Sequence, residues 1–225
     1  MSSGNALVLK ICGLREIAHV RVAEACGATH VGFIVEVARS PRSLTRRQAR
    51  ALARAARVAS VMVTTAIDAD EVIGLAGTVQ PDVVQLHGAQ MVLPGPLRHA
   101  LPGVQLWQVV GVEVGPAPDL GPPAEQIGAA AASGVDGVVL DAAKAGRSGG
   151  TGAVMDWDAA AQLVAAAGGL PVILGGGLHP GNVAEAIRHV KPSGVDVSSG
   201  VETAPNAKST ELIRAFCEAV RQVTA

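Results

Sequence analysis

Lys10 and Cys12 stand two residues apart in "VLKICGL" at 8–14, and that spacing puts an ammonium and a thiol on one face of an otherwise apolar strand. Three more apolar runs are interrupted in the same way. Gln85 and His87 fall in "DVVQLHG", Asp141 ends "GVDGVVLDA", and Asp196 and Ser198 fall in "GVDVSSG". Within each pair the members are two apart, so both share a face. Four strands thus deliver a thiol, an ammonium, an imidazole and carboxylates, groups able to move protons or to hold an ionic ligand. Glycine-rich turns follow the last of these runs: "GRSGGTG" at 146–152, with Gly149 and Gly150; "GGG", which is Gly175, Gly176 and Gly177; and "SSGVE", with Ser198, Ser199 and Gly200. Exposed backbone N–H groups in such turns, beside a helix N-terminus, favour an anion and point to a small phosphorylated molecule. Arg42, after Pro41 in "ARSPRSLTRR", is a loop guanidinium able to grip a carboxylate bidentately. Arg46 and Arg47, on the helix pattern that follows, read as surface charge.

The elements that must position these residues are legible from periodicity. Eight β-branched-rich apolar runs, at 7–13, 30–35, 59–65, 82–88, 104–112, 134–142, 170–177 and 194–200, alternate with helix-like segments. Several of those segments open on a cap residue: Thr45, Asp156, Asn182 and Ser209. Eight β-then-α units in 225 residues, without a Pro/Gly/Ser-rich linker, predict an α/β fold, a (β/α)₈ TIM barrel forming a single domain over residues 1–225. A doubly wound open sheet is the alternative. The fourth helix is weakly written, because "MVLPGPLRHALPG" carries Pro94, Gly95 and Pro102. In a barrel, loops after the strands' C-terminal ends build the active site, which is where the polar residues above fall.

Composition narrows the ligand and the compartment. A net charge of −1 and aromatics at 2% with no tyrosine argue against a nucleic-acid partner and leave the core aliphatic. No run of about 18 apolar residues appears, and "MSSGNALVLK" lacks a basic leader before an apolar stretch, so a cytoplasmic protein with no membrane partner is expected. Cys12, Cys26 and Cys217 are too few and too scattered for a disulfide framework or a zinc site, and Cys26 and Cys217 lie in helical patterns that suit packing. No metal is expected.

"KICGL", "GFI…SPRSLT", "DVVQLHG", "LDA…GGTG…DW", "PVILGGGLHPGNV" and "GVDVSSGVE" occur in an order and spacing that closely resembles the phosphoribosylanthranilate isomerase family, nearly end to end. The resemblance implies an Amadori rearrangement of N-(5-phosphoribosyl)anthranilate in tryptophan biosynthesis, with no cofactor. It places the general base on Cys12 and the general acid on Asp141, the anthranilate carboxylate on Arg42, and the phosphate on the glycine loops, with His87 also at the substrate. A monomer or a homodimer is expected. The chain departs from the family at Glu36 and Arg39 in "VEVARSPR", at "AQM" after "QLHG", at Met155 before "DW" and at Ser209, while Lys208 is kept. These positions bear on the aromatic end of the pocket, so the same chemistry on a related phosphoribosylamine is an alternative. So is a non-catalytic barrel that binds a phosphorylated ligand. An aldolase or indole-glycerol-phosphate-type lyase would want a Schiff-base lysine or paired carboxylates, which the matched motifs do not supply. Two readings of Lys10 stand side by side: it favours the Cys12 thiolate, with Asp196 offsetting its burial, or Lys10 and Asp196 form a purely structural pair.

Overall fold

The computed structural model describes residues 7–88, 94–115, 118–144, 147–148 and 155–224. Strands form where the apolar runs predict them: β1 (Val8–Ile11), β2 (His30–Ile34), β3 (Ala59–Thr64), β4 (Val83–Leu86), β5 (Gln105–Glu113), β6 (Gly137–Lys144), β7 (Val172–Leu174) and β8 (Gly194–Val197). Each pairs in parallel with the next, and β8 returns to β1, so the sheet closes into a barrel rather than remaining open. After the strands come α1 (Ile17–Ala25), α2 (Arg46–Ala55), α3 (Ala69–Val79), α4 (Pro94–Ala100), α5 (Gly121–Ser133), α6 (Trp157–Ala166), α7 (Val183–Val190) and α8 (Thr210–Thr224). No helix among the described residues is long and apolar enough to cross a membrane.

Parallel strands are buried on both faces, which is why they read as continuous apolar runs. Between barrel and helices lies a large aliphatic core that includes Ile11, Phe33, Met62, Leu140 and Phe216. Inside the barrel a smaller cluster holds Cys12, Val61, Val63, Val83, Trp107, Val109, Val139 and Ile173. His30 and Trp107 meet there with ring centroids 5.1 Å apart, so two of the chain's few large rings fill the barrel below the reactive strand ends.

Thr45 closes a capping box with Gln48, and Asp156 accepts from the Asp158 and Ala159 amides, as their positions predict. Ser209 caps α8 through the Leu212 amide at 3.2 Å. Asn182 does not cap α7. Its Oδ1 accepts from the His179 amide at 2.8 Å and its Nδ2 donates to the Gly177 carbonyl at 3.1 Å, so it braces the loop before the helix instead. The weakly written α4 does form, because Pro94 sits at its start, where a missing N–H costs nothing, and Pro102 lies beyond its end. Residues 202–208, to which the sequence reading assigns no element, contain a short antiparallel hairpin of Glu202–Ala204 and Ala207–Lys208, turned at Asn206 with φ 68°.

Candidate active site

Lys10 is fully buried, and the β1–β8 register sets it opposite Asp196, with Nζ 2.6 Å from Asp196 Oδ2. Cys12, the next inward position and the first residue past β1, is also buried, its amide bonded to the Val197 carbonyl. Room for both comes from β2. A Cβ built on Gly32 would stand 2.8 Å from Cys12 Sγ and 3.1 Å from Lys10 Cε, so a larger residue there would push the pair apart. Burial works to discharge Lys10, but Asp196 and Cys12 overrule it and hold the ammonium charged. Burial also pushes the Cys12 thiol up, and here it wins: Lys10 and Lys208 pull the other way without bringing the thiol below its ordinary range. Lys10 therefore limits the cost of a buried thiolate rather than producing a strongly acidic thiol.

Asp141 lies on β6 opposite Gly111, near the end of its strand and beside Gly175. Burial and the neighbouring Asp196 carboxylate push its carboxyl up to about 6. Asp196 Oδ1 is buried and has no hydrogen-bond partner among the described residues, and the Asp196 carboxylate acts on Asp141 from nearby. His87 follows β4 directly, half-buried, its amide bonded to the Thr64 carbonyl at 2.9 Å.

The loops after β7 and β8 are pressed backbone to backbone. Gly176 and Gly177 take φ of 70° and 74°. A Cβ on Gly176 would lie 2.4 Å from the Ala142 nitrogen, and one on Gly200 only 1.9 Å from the Leu178 carbonyl oxygen. Ser199–Val201 form one 3₁₀ turn. Among the described residues, the amides of Gly176, Gly177, Ser199 and Gly200 donate no backbone hydrogen bond, which leaves four N–H groups at one rim. Gly149 and Gly150 lie outside the described residues.

Arg42 reaches this rim with its stem across Gly13, where a Cβ would be 2.7 Å from Arg42 Cδ; Gly13 has φ 71°. The fork that the sequence reading reserves for a ligand is engaged with Glu202: Nε to Oε1 at 2.7 Å and Nη2 to Oε2 at 2.5 Å. Lys208 Nζ adds a contact to Glu202 Oε1 at 2.8 Å and another to the Ser198 carbonyl at 2.8 Å. Burial acts to raise the Glu202 carboxyl, but the hydrogen bonds from Arg42 and Lys208 outweigh it and hold it at about 2. Arg46, as expected of surface charge, pairs with Glu36 on the exposed side.

Sequence reasoning places Cys12, Asp141, Arg42, His87, Ser198 and the glycines of the loops after β7 and β8 at one end of the barrel, and that is where the strand ends and loops put them. It missed Glu202 and Gly32. The signal for Glu202 was present, since a carboxylate lies close behind the glycine turn of "SSGVE" with Lys208 six residues on. The match to Arg42, 160 residues away, has no local trace.

Residues 9–219 match the family model of N-(5'-phosphoribosyl)anthranilate (PRA) isomerase. The N-(5'-phosphoribosyl)anthranilate isomerase of Rhodopseudomonas palustris strain BisB18 is 40% identical over 220 residues, covering 96% of each chain. The solved phosphoribosyl anthranilate isomerase of Thermus thermophilus superposes with a TM-score of 0.78 at 29% identity, over 96% of this chain and 100% of that one. Another such enzyme, solved in complex with reduced 1-(o-carboxyphenylamino)-1-deoxyribulose 5-phosphate, gives a TM-score of 0.77 at 25% identity, over 96% and 99%. A closed eight-stranded barrel, a rim of reactive strand ends and a relationship that runs almost the length of both chains agree: this chain belongs to the phosphoribosylanthranilate isomerase family.

Proposed function

We propose that the barrel converts N-(5-phosphoribosyl)anthranilate to 1-(o-carboxyphenylamino)-1-deoxyribulose 5-phosphate, with Asp141 as general acid and Cys12 as general base. The observation that carries this reading is the Asp141 carboxyl, pushed up to about 6 at the same strand ends as a thiol backed by a buried ammonium. A carboxyl in that range still holds a proton in a useful fraction of molecules near neutrality. Asp141 gives its proton to the furanose ring oxygen as the C1′–O bond breaks, leaving an iminium. Cys12, as thiolate, takes the proton from C2′; the electron pair moves into an enolamine, which tautomerises to the ketone. Neither step changes the overall oxidation level. Because the thiol titrates above Asp141, the productive form carries both a protonated acid and a deprotonated base and is a minority species, a cost that Lys10 reduces by stabilising the thiolate.

The amides of Gly176, Gly177, Ser199 and Gly200, which donate no backbone hydrogen bond among the described residues, suit the substrate phosphate, His87 stands at the same rim for a substrate hydroxyl, and Arg42 is the group for the ring carboxylate. A fluorescence assay following loss of phosphoribosylanthranilate tests the reading. Wild type should turn over. Cys12→Ser should be nearly inactive, since a hydroxyl is far less acidic than a thiol, and Asp141→Asn should lose a factor of roughly 10² to 10⁴ in kcat. Near wild-type turnover in either variant would remove that residue from its role.

A further inference from the structure

For Arg42 to hold a substrate carboxylate while Glu202 already occupies it, the guanidinium must serve two anions at once, and its geometry permits this. It has five N–H donors. Nε and Nη2 spend one each on the two Glu202 oxygens. Of the other three, one on Nη1 and one on Nη2 form a second bidentate edge in the same plane, and no hydrogen bond among the described residues uses it. Glu202 is fixed in turn, for Oε1 also accepts from Lys208 at 2.8 Å and Oε2 from the Asn206 amide at 3.2 Å. Lys208 directs its remaining hydrogens at Ser198, the carbonyl at 2.8 Å and Oγ at 3.4 Å. Glu202 and Lys208 are register partners across the hairpin, which explains why that hairpin is there: it brings both side chains to one face.

The charge count points the same way. Side chains of Arg42, Glu202 and Lys208 are only 11%, 4% and 4% exposed, so two cations share one carboxylate largely out of water. With both cations charged the cluster keeps one unit of positive charge; burial pulls the Lys208 ammonium down against the pull of Glu202, and a desolvated net charge of that kind calls for a counter-anion. Without Lys208, Arg42 and Glu202 would cancel, and an arriving carboxylate would meet a neutral pair.

We propose that Arg42, Glu202 and Lys208 form one carboxylate-recognition unit, in which Glu202 is a positioning residue that presents the open edge of Arg42 to the substrate's ring carboxylate and Lys208 restores the positive charge that Glu202 removes. The unit rests on the substrate reading given above.

Calorimetry with two ligands tests this: reduced 1-(o-carboxyphenylamino)-1-deoxyribulose 5-phosphate, and the same molecule without the ring carboxyl. Glu202→Gln should weaken the first by about tenfold, the scale of one charge-assisted hydrogen bond, and leave the second within about twofold. Lys208→Met should show the same selectivity with the Arg42–Glu202 fork intact, and it decides the matter alone if Glu202→Gln does not fold. Equal weakening of both ligands, or of neither, would overturn the unit, because a residue that merely holds the loop does not distinguish them. Arg42→Ala separates the two levels. If it binds both ligands as wild type does, the carboxylate reading of Arg42 itself is wrong; if it loses the carboxylate ligand while the other two variants do not, only the positioning role falls.

Discussion

Lys10 carries the charge balance of the barrel interior, with Asp196 on one side, Cys12 on the other and no exposure to water. Its two possible roles make different demands, and one substitution reads both. Lys10→Met leaves the Asp196 carboxylate buried without its counter-ion, so urea unfolding should show a loss of about 3–5 kcal/mol. In the folded fraction, the pH profile of Cys12 alkylation should move further upward, because the largest influence opposing burial is gone. A profile that stays where it is in wild type would leave Lys10 a structural partner of Asp196 only. The sequence shows that Lys10 and Cys12 share a face, since period-two geometry is local. It does not show whether burial or the ammonium wins at the thiol, because that balance depends on how completely Gly32, Asp196 and the rest of the barrel exclude water.

At the scale of elements, the loops after β7 and β8 work as a single piece. Gly200 has no space for a Cβ, which would sit 1.9 Å from the Leu178 carbonyl oxygen, and backbone on both sides cannot yield as a flexible side chain would. Gly200→Ala should therefore cost about 1–3 kcal/mol of stability. It should also weaken the affinity for inorganic phosphate roughly tenfold, since 1.4 kcal/mol of lost alignment is a factor of ten. Titration with inorganic phosphate checks it, and an undiminished affinity would remove these amides from the phosphate site. Strands and most helices were readable because periodicity and caps are local signals. Asn182 shows the boundary of that method: its position is that of a cap, but the nearby Gly177 carbonyl and His179 amide compete for its side chain and win. The Glu202–Lys208 hairpin was unreadable for a related reason, because its strands of three and two residues are too short to show alternation.

For the whole molecule, two carboxylates set opposite slopes of stability with pH. Glu202 titrates at about 2 in the fold against an ordinary 4.5, so it contributes stability that is present above 4.5 and is lost as pH falls toward 2. Asp141 is raised from 3.8 to about 6, so the fold favours its protonated form, and stability is lost as pH rises through that window. Urea midpoints should therefore decline on both sides of an optimum near pH 4, where the two ranges overlap. Glu202→Gln should flatten the acid side. Asp141→Asn should remove the neutral-side decline and raise stability at pH 7 by on the order of 2–3 kcal/mol, while abolishing most turnover; a midpoint unchanged at pH 7 would show that Asp141 ionises freely in the fold. The closure of β8 onto β1 has a kinetic meaning as well. Lys10 meets Asp196 across 186 residues of chain and Arg42 meets Glu202 across 160, so the contacts that assemble the pocket are among those with the largest loop-closure entropy. Neighbouring β-then-α units gain their contacts locally and early, whereas the charged pairs wait for the ring to close. A nascent chain that has folded most of its barrel thus carries the Lys10 ammonium without Asp196 and the Arg42 fork without Glu202, and the pocket matures only when β8 closes onto β1.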